Sequence, residues 1–275
     1  MVHLGRCVRF SINPFLDEDA PGFNTYASRP PGEGLAVFLE LAVELVGPVD
    51  PATGFLVNVT DIDKAVQVTT VPVFARRLRE YYRAGRHVSL GGLADMLHAA
   101  QERLAEVFPS AAVSRLSLAL NPFRKIAMNA TDSGTIYFSE KFEFAAMHKL
   151  WNDSFSEAEN LERFGKCANP TGHGHNYIVE VTIESPADGP GVKIGEFERV
   201  VDAELIQVVD HKNLNLDVPA FGEKNPTVEN LAVFAWDRLV GKFDPARLHG
   251  ITVWESDRTY CTYHGPQDGR LEPTD

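Results

Sequence analysis

Cysteine is scarce in this chain: three residues among 275, at positions 7, 167 and 261, too few and too scattered for a disulfide framework. They read as free thiols in a reducing compartment. No apolar run approaches the length of a membrane span, and the opening MVHLGRCVRF lacks the apolar core of a secretion signal, so a cytoplasmic protein without a membrane partner is expected. Positive charge is short as well. Lys and Arg number 26 against 38 Asp and Glu, a formal charge of -12, and the basic field that collects nucleic-acid phosphates is missing. What is plentiful is core material: 44% hydrophobic residues suffice for one large or two ordinary domains.

Histidine is unevenly spread, with none between His3 and His87. The chemistry concentrates in FGKCANPTGHGHNYIVEVTIE, residues 164 to 184. Side chains of an extended strand alternate between faces, so His173 and His175 project the same way, with Gly174 between them leaving the backbone open to approach. A third imidazole, His148, ends the alternating segment FEFAAMHKL, on the same face as Phe142, Phe144 and Ala146. Three neutral imidazoles with one vacant position are how catalytic zinc is commonly held.

The two halves read as diverged copies of one unit. GLAVFLELAVELVG (34 to 47) parallels GHNYIVEVTIES (174 to 185), which sets Glu40 opposite Glu180 and Glu44 opposite Glu184. GFLVNVTDIDKAVQ (54 to 67) parallels GVKIGEFERVVDAEL (191 to 205), each expected to be a strand running into a helix. Helices at 88 to 108 and 225 to 243 then lead to strands at 113 to 121 and 251 to 256. The expected boundary lies in NATDSGTIYF, near 130 to 138, dividing a first unit at 1–132 from a second at 133–265 and a frayed tail at 266–275. The proline-rich stretch 17 to 34 reads as a long loop. Glu33 and Leu35 stand opposite His173 and His175, so the first unit lacks the metal ligands.

Further reactive groups follow in the second half. In VVDHKNLNL, Asp210 would fix the tautomer of His211 and raise its basicity, making the pair a proton relay. Cys167 is its natural partner, since a thiol near a dication and a histidine shifts toward thiolate. Glu255, on the otherwise apolar strand ITVWES, needs a partner if buried, and the guanidine-like edge of a heterocycle would serve.

Taken in order, the FxAAxH-like strand, FGKCxxxxxHGHNY, the DHxxLN segment, NPTVEN and the VxES strand resemble the 6-pyruvoyltetrahydropterin synthase family, which includes the 6-carboxytetrahydropterin synthases, over about residues 136 to 264. The resemblance implies an α+β chain of two tandem T-fold units, each a four-stranded antiparallel sheet with two helices on one face, joined edge to edge with other subunits in a homo-oligomer. It implies zinc on His148, His173 and His175, proton transfer by Cys167 with Asp210 and His211, and a pterin anchored by Glu255 beside Thr227. The implied substrate is 7,8-dihydroneopterin triphosphate, converted to a 6-pyruvoyl or 6-carboxy tetrahydropterin for biopterin-like cofactor, deazapurine (queuosine-type) tRNA modification or folate. Arg163, Lys166 and Lys212, near the motifs, could meet its phosphates. Five residues separate Cys167 from His173, the pyruvoyl-type spacing. The family's sites lie between subunits, so the first copy, without metal ligands, is expected to supply one wall of the second copy's pocket.

The same residues have plainer uses. His148 could be a hydrogen-bonded core histidine, Asp210 and His211 a helix terminus, Glu255 a solvated strand end, and Thr227 an N-cap after Asn225-Pro226. A cupin-like metal protein is disfavoured because Glu180 falls on the opposite face from His173 and His175. A non-catalytic zinc- or pterin-binding scaffold is disfavoured by the presence of Cys167, which binding alone does not require.

Overall fold

A computed structural model describes residues 1–16, 36–188 and 191–266. The expected loop at 17 to 34, the tail from 267 and the positions Glu33 and Leu35 lie outside the described residues. Contacts divide the chain into Met1–Phe138 with Ser185–Lys193, and Ser139–Glu184 with Ile194–Asp275.

The first unit opens with strands β1 (Val2–Ile12) and β2 (Val37–Gly47). Alternation drives them: Leu39, Leu41, Val43 and Leu45 are buried while their neighbours face outward. β2 pairs antiparallel with β1 on one side and β3 (Ala112–Asn121) on the other, and β3 pairs with β4 (Arg124–Asn129). Helix α1 (Val59–Ala65) runs through a π-helical turn (Val66–Thr70) into α2 (Val71–Arg83). Phe74 of α2 meets Phe10 of β1 with ring centroids 5.9 Å apart. Helix α3 (Leu90–Ala105), capped by Ser89, packs on β3 and β4.

The expected strand at the start of 54 to 67 does not form. Gly54 turns the chain at φ +76° and Asn58 already caps α1, which leaves too few extended residues to pair. Likewise Gly191, at φ +58°, leads directly into helix α5 at Ile194, so no strand precedes it. The boundary turn is tighter than its composition suggests: Ala130 and Thr131 turn, and β5 starts at Asp132.

β5 (Asp132–His148) continues into the second unit, which adds α4 (Glu157–Phe164) and β6 (His173–Pro186). Next come α5 (Ile194–Val201), a π-helical turn (Asp202–Ile206) and the short α6 (Gln207–Val209). A two-residue β7 (Lys212–Asn213), α7 (Leu214–Asp217), α8 (Val228–Leu239), β8 (Arg247–Ser256) and β9 (Thr259–Tyr263) complete it. β5, β6, β8 and β9 lie side by side in that order, and β7 pairs parallel with β5. Tyr177, Val179, Val181 and Ile183 form the buried row of β6. Phe197 of α5 rests on Phe142 of β5, and α8 covers β8 and β9. The chain is thus a mixed structure of helices and mainly antiparallel sheet. Among the described residues no helix is long and apolar enough to cross a membrane.

The units share their irregularities. Pairing slips between Glu44 and Leu45 in one and between Thr182 and Ile183 in the other, and again around Leu120 and around Glu255. By these slips the counterpart of His175 is Val37, two residues on from the position that pattern matching selects, and the counterpart of Glu255 is Leu120. The units part company after the π-helical turn. In the first the helix runs on to Arg83; in the second it stops at Val209 and releases Asp210 and His211. Leu41, with no exposure in the middle of β2, tests the first core: Leu41→Ala should cost about 3 kcal/mol in urea unfolding.

Candidate metal and active site

His148 ends β5 with only 1% of its surface exposed. Its Nδ1–H donates to the Pro226 carbonyl at 2.8 Å, which leaves Nε2 aimed at Nε2 of His173, 3.1 Å away. The Tyr177 hydroxyl lies 3.4 Å from the same Nδ1, and the Tyr177 ring stacks on Phe144 at 5.0 Å. His173 and His175 begin β6 on the face that Tyr177 continues inward. One nitrogen from each of His148, His173 and His175 lies within 4.8 Å of the others.

The donor set fits a cation. Nε2 of His175 is buried without a hydrogen-bond partner, a costly state for a polar atom. Burial is the first cause holding the His148 and His175 pKa values below the ordinary histidine value, which favours the neutral rings at neutral pH. Neutral imidazole nitrogens are what zinc accepts.

Cys167 sits in a 3₁₀ turn (Gly165–Ala168) just after α4, with Sγ 3.7 Å from Nε2 of His173. Three asparagines brace the strap leading to it. Asn215 grips Lys149 by both its N–H and its carbonyl, and Asn225 accepts the Trp151 N–H. Asn160, fully buried, accepts the Asn152 N–H and donates to the carbonyls of Asn152, Phe155 and Ser156. The Leu150 N–H then holds the Cys167 carbonyl at 2.9 Å. Gly172, at φ +70°, turns the chain back into β6 where a Cβ would strike the His148 carbonyl at 2.7 Å. Within the protein alone the Cys167 thiol is pushed up, by burial and then by the Glu255 charge, opposite to the shift toward thiolate expected from its neighbours.

Glu255 occupies the bulge of β8 that Leu120 occupies in the first unit, and its Oε1 lies 3.6 Å from Nε2 of His175. A bulge re-aims a side chain, which is how a carboxylate on an apolar strand comes to face the histidines. Asp210 accepts the Ala145 N–H at 2.9 Å and holds Nδ1 of His211 at 2.9 Å. Those bonds, the backbone one first, keep its carboxyl below the usual range. His211 is held at φ 55° with its side chain 82% exposed. Among the described residues it makes no hydrogen bond or ion pair with Cys167, so the structure does not bring the expected relay and thiol together within one chain. It lines a cavity of about 580 Å³ with Lys212 and Asp217, and His175 and Gly174 line the same cavity.

Thr227 is the N-cap of α8, its hydroxyl oxygen accepting the Asn230 N–H. Arg163 lies over the Phe155 ring at 4.7 Å. Sequence reasoning passed over Tyr177, Asn160 and the Pro226 carbonyl. Tyr177 carried a signal, since it shares the parity of His173 and His175, but a backbone carbonyl leaves none.

The model of a family described as 6-pyruvoyl tetrahydropterin synthase matches residues 137–266, a span containing every site residue above. The human 6-pyruvoyl tetrahydrobiopterin synthase is 39% identical over 130 residues, 46% of this chain and 90% of that protein. The chain belongs to this family. It is an enzyme of the 6-pyruvoyl- and 6-carboxytetrahydropterin synthase type, a family of lyases. A 6-carboxy-5,6,7,8-tetrahydropterin synthase of Aquifex aeolicus is 26% identical over 156 residues, 46% of this chain and 95% of that one. The structure of Caenorhabditis elegans 6-pyruvoyl tetrahydropterin synthase is similar at 31% identity and a TM-score of 0.46, covering 48% of this chain and 96% of that one.

Two outcomes follow from the site. Asn160→Ala should cost about 3 kcal/mol by stranding buried backbone groups around the strap, read by denaturant unfolding. An unfolded histidine protonates near pH 6.5, whereas folded His148 and His175 resist protonation. Their contribution to stability is therefore complete above about pH 6.5 and is lost as pH falls through the lower folded values. After chelator treatment the melting temperature should drop between about pH 7.5 and about pH 5.5, less steeply in His148→Gln.

Proposed function

We propose that this chain is a zinc-dependent 6-pyruvoyltetrahydropterin synthase acting on 7,8-dihydroneopterin triphosphate. The observation that carries the reading is the convergence of His148, His173 and His175 beside Cys167 and Glu255. His148, His173 and His175 would hold the zinc, which would supply Lewis acidity toward the substrate's side-chain hydroxyls. Cys167 takes the proton of the neighbouring C–H and delivers it to the ring, so the pterin is reduced internally while triphosphate is eliminated. Glu255 anchors the amino-pyrimidine edge, and Thr227, whose oxygen caps α8, keeps its hydroxyl hydrogen for the substrate.

Asp210 and His211 serve the thiol of a second copy in a homo-oligomer. Their outward presentation and lack of a bond to their own Cys167 support that arrangement. The first unit is a tandem T-fold copy whose Val37 and Leu120 replace a metal ligand and the anchor, which makes it scaffold. The pyruvoyl product is favoured by the 39% identity to the human enzyme against 26% to the carboxy-type relative. Incubating zinc-loaded protein with 7,8-dihydroneopterin triphosphate should yield 6-pyruvoyltetrahydropterin and free triphosphate by mass analysis. Cys167→Ala should lose at least about 100-fold in turnover while keeping its zinc. Triphosphate left attached by the wild type would refute the lyase reading, and a 6-carboxy product would correct the product.

A further inference from the structure

The first unit, bare of metal ligands, carries a cavity of its own. It measures about 520 Å³, a size that holds small molecules, and lies between α1, the π-helical turn after it and the segment 107–110 that leads into β3. It sits where β2 ends and β3 begins, the opposite end of those strands from Val37 and Leu120, so it is no remnant of the site equipped in the other unit. Gly47 makes room there. A Cβ on it would strike the Leu56 side chain at 2.6 Å and the Ser110 carbonyl at 2.8 Å, and both of those residues wall the cavity.

The second unit shows the same position filled. Ile62, Val66 and Leu104 are buried as Phe197, Val201 and Leu239 are, at one constant spacing along the chain. That spacing sets Phe108 opposite Phe243, Thr69 opposite Glu204 and Val107 opposite Lys242. In the second unit Phe197 packs on Phe243 with ring centroids 5.3 Å apart, and Glu204 bridges Arg238 and Lys242. In the first, the smaller Ile62 takes the place of the Phe197 ring and the ion-paired residues become Thr69 and Val107. Val68 and Val107, both on the cavity wall, are left 66% and 40% exposed. Apolar surface gathered around a cavity marks a binding site.

The charges on the wall select the ligand. Asp61 and Lys64 stand three residues apart on α1, both line the cavity, and among the described residues neither side chain makes an ion pair or hydrogen bond. One anion and one cation, unpaired beside aliphatic and aromatic side chains, are the complement of a zwitterion with an apolar body. We propose that this cavity binds a free α-amino acid with a branched or aromatic side chain. The carboxylate of the ligand meets the Lys64 ammonium, its ammonium meets the Asp61 carboxylate, and its side chain lies against Val68, Val107 and Phe108. The site is independent of the metal reading and of the reaction proposed above.

Isothermal titration of the full chain with L-leucine and with L-phenylalanine tests this. Each should bind one per chain and raise the melting temperature. N-acetyl-leucine lacks the ammonium, leucinamide lacks the carboxylate and L-serine lacks the apolar body, so each should bind at least about tenfold more weakly. Asp61→Asn and Lys64→Gln should weaken L-leucine by about the same factor, and Val68→Glu should abolish its binding. All three positions are exposed, so the ligand-free variants should melt within about 2 °C of the wild type. Absence of binding by either amino acid at about 10 mM would overturn the proposal. Equal binding of L-leucine, N-acetyl-leucine and leucinamide would overturn the zwitterion, and binding unchanged in Val68→Glu would overturn the location.

Discussion

A buried imidazole with one nitrogen committed to a backbone carbonyl is the constraint on which the site depends. His148 is nearly without exposure, and its bond to Pro226 determines which nitrogen is free. The commitment ties β5 to the loop before α8, where Asn225 simultaneously holds the Trp151 N–H and accepts the Asn230 side chain through its carbonyl. Ligand, strap and helix start are therefore one hydrogen-bonded assembly. A motif that reads as a substrate contact, NPTVEN, is first a device that orients the His148 imidazole.

The strap explains how a cysteine on an irregular segment keeps its place. Irregular backbone offers many unpaired polar groups, and here asparagine side chains imitate backbone partners for them. Asn160 does so from complete burial, where each unmade bond would be expensive. Cys167 is thus held beside the three histidines by a hydrogen-bonded segment whose backbone partners are spoken for.

The two units show how little change separates a chemically equipped unit from a bare one. Matching slips in the sheet and matching π-helical turns occur in both, yet Val37 and Leu120 stand where His175 and Glu255 stand. The first unit's helix also continues past its π-helical turn, so no segment comparable to Asp210 and His211 is released. Replacing polar site residues by aliphatic ones removes unsatisfied buried donors and acceptors, and the aliphatic version is the cheaper one to fold.

Much of this was legible in the linear order of residues, for identifiable reasons. Strand parity placed His173 and His175 on one face and His148 at the end of another strand, because a period of two follows from backbone geometry alone. Motif order carried the family, and helical spacing carried α3 and α8. Short strand-like runs at 55 to 57 and 192 to 194 misled, since glycine turns at Gly54 and Gly191, with a helix cap at Asn58 in the first case, outweigh three residues of pattern. The sequence by itself determined which side chains could bind a metal. Only the tertiary structure decided which nitrogen of His148 is free, that Glu255 is turned by a bulge, and that His211 pairs with Asp210 and not with Cys167 of its own chain, because each depends on how the backbone is held and not on residue type.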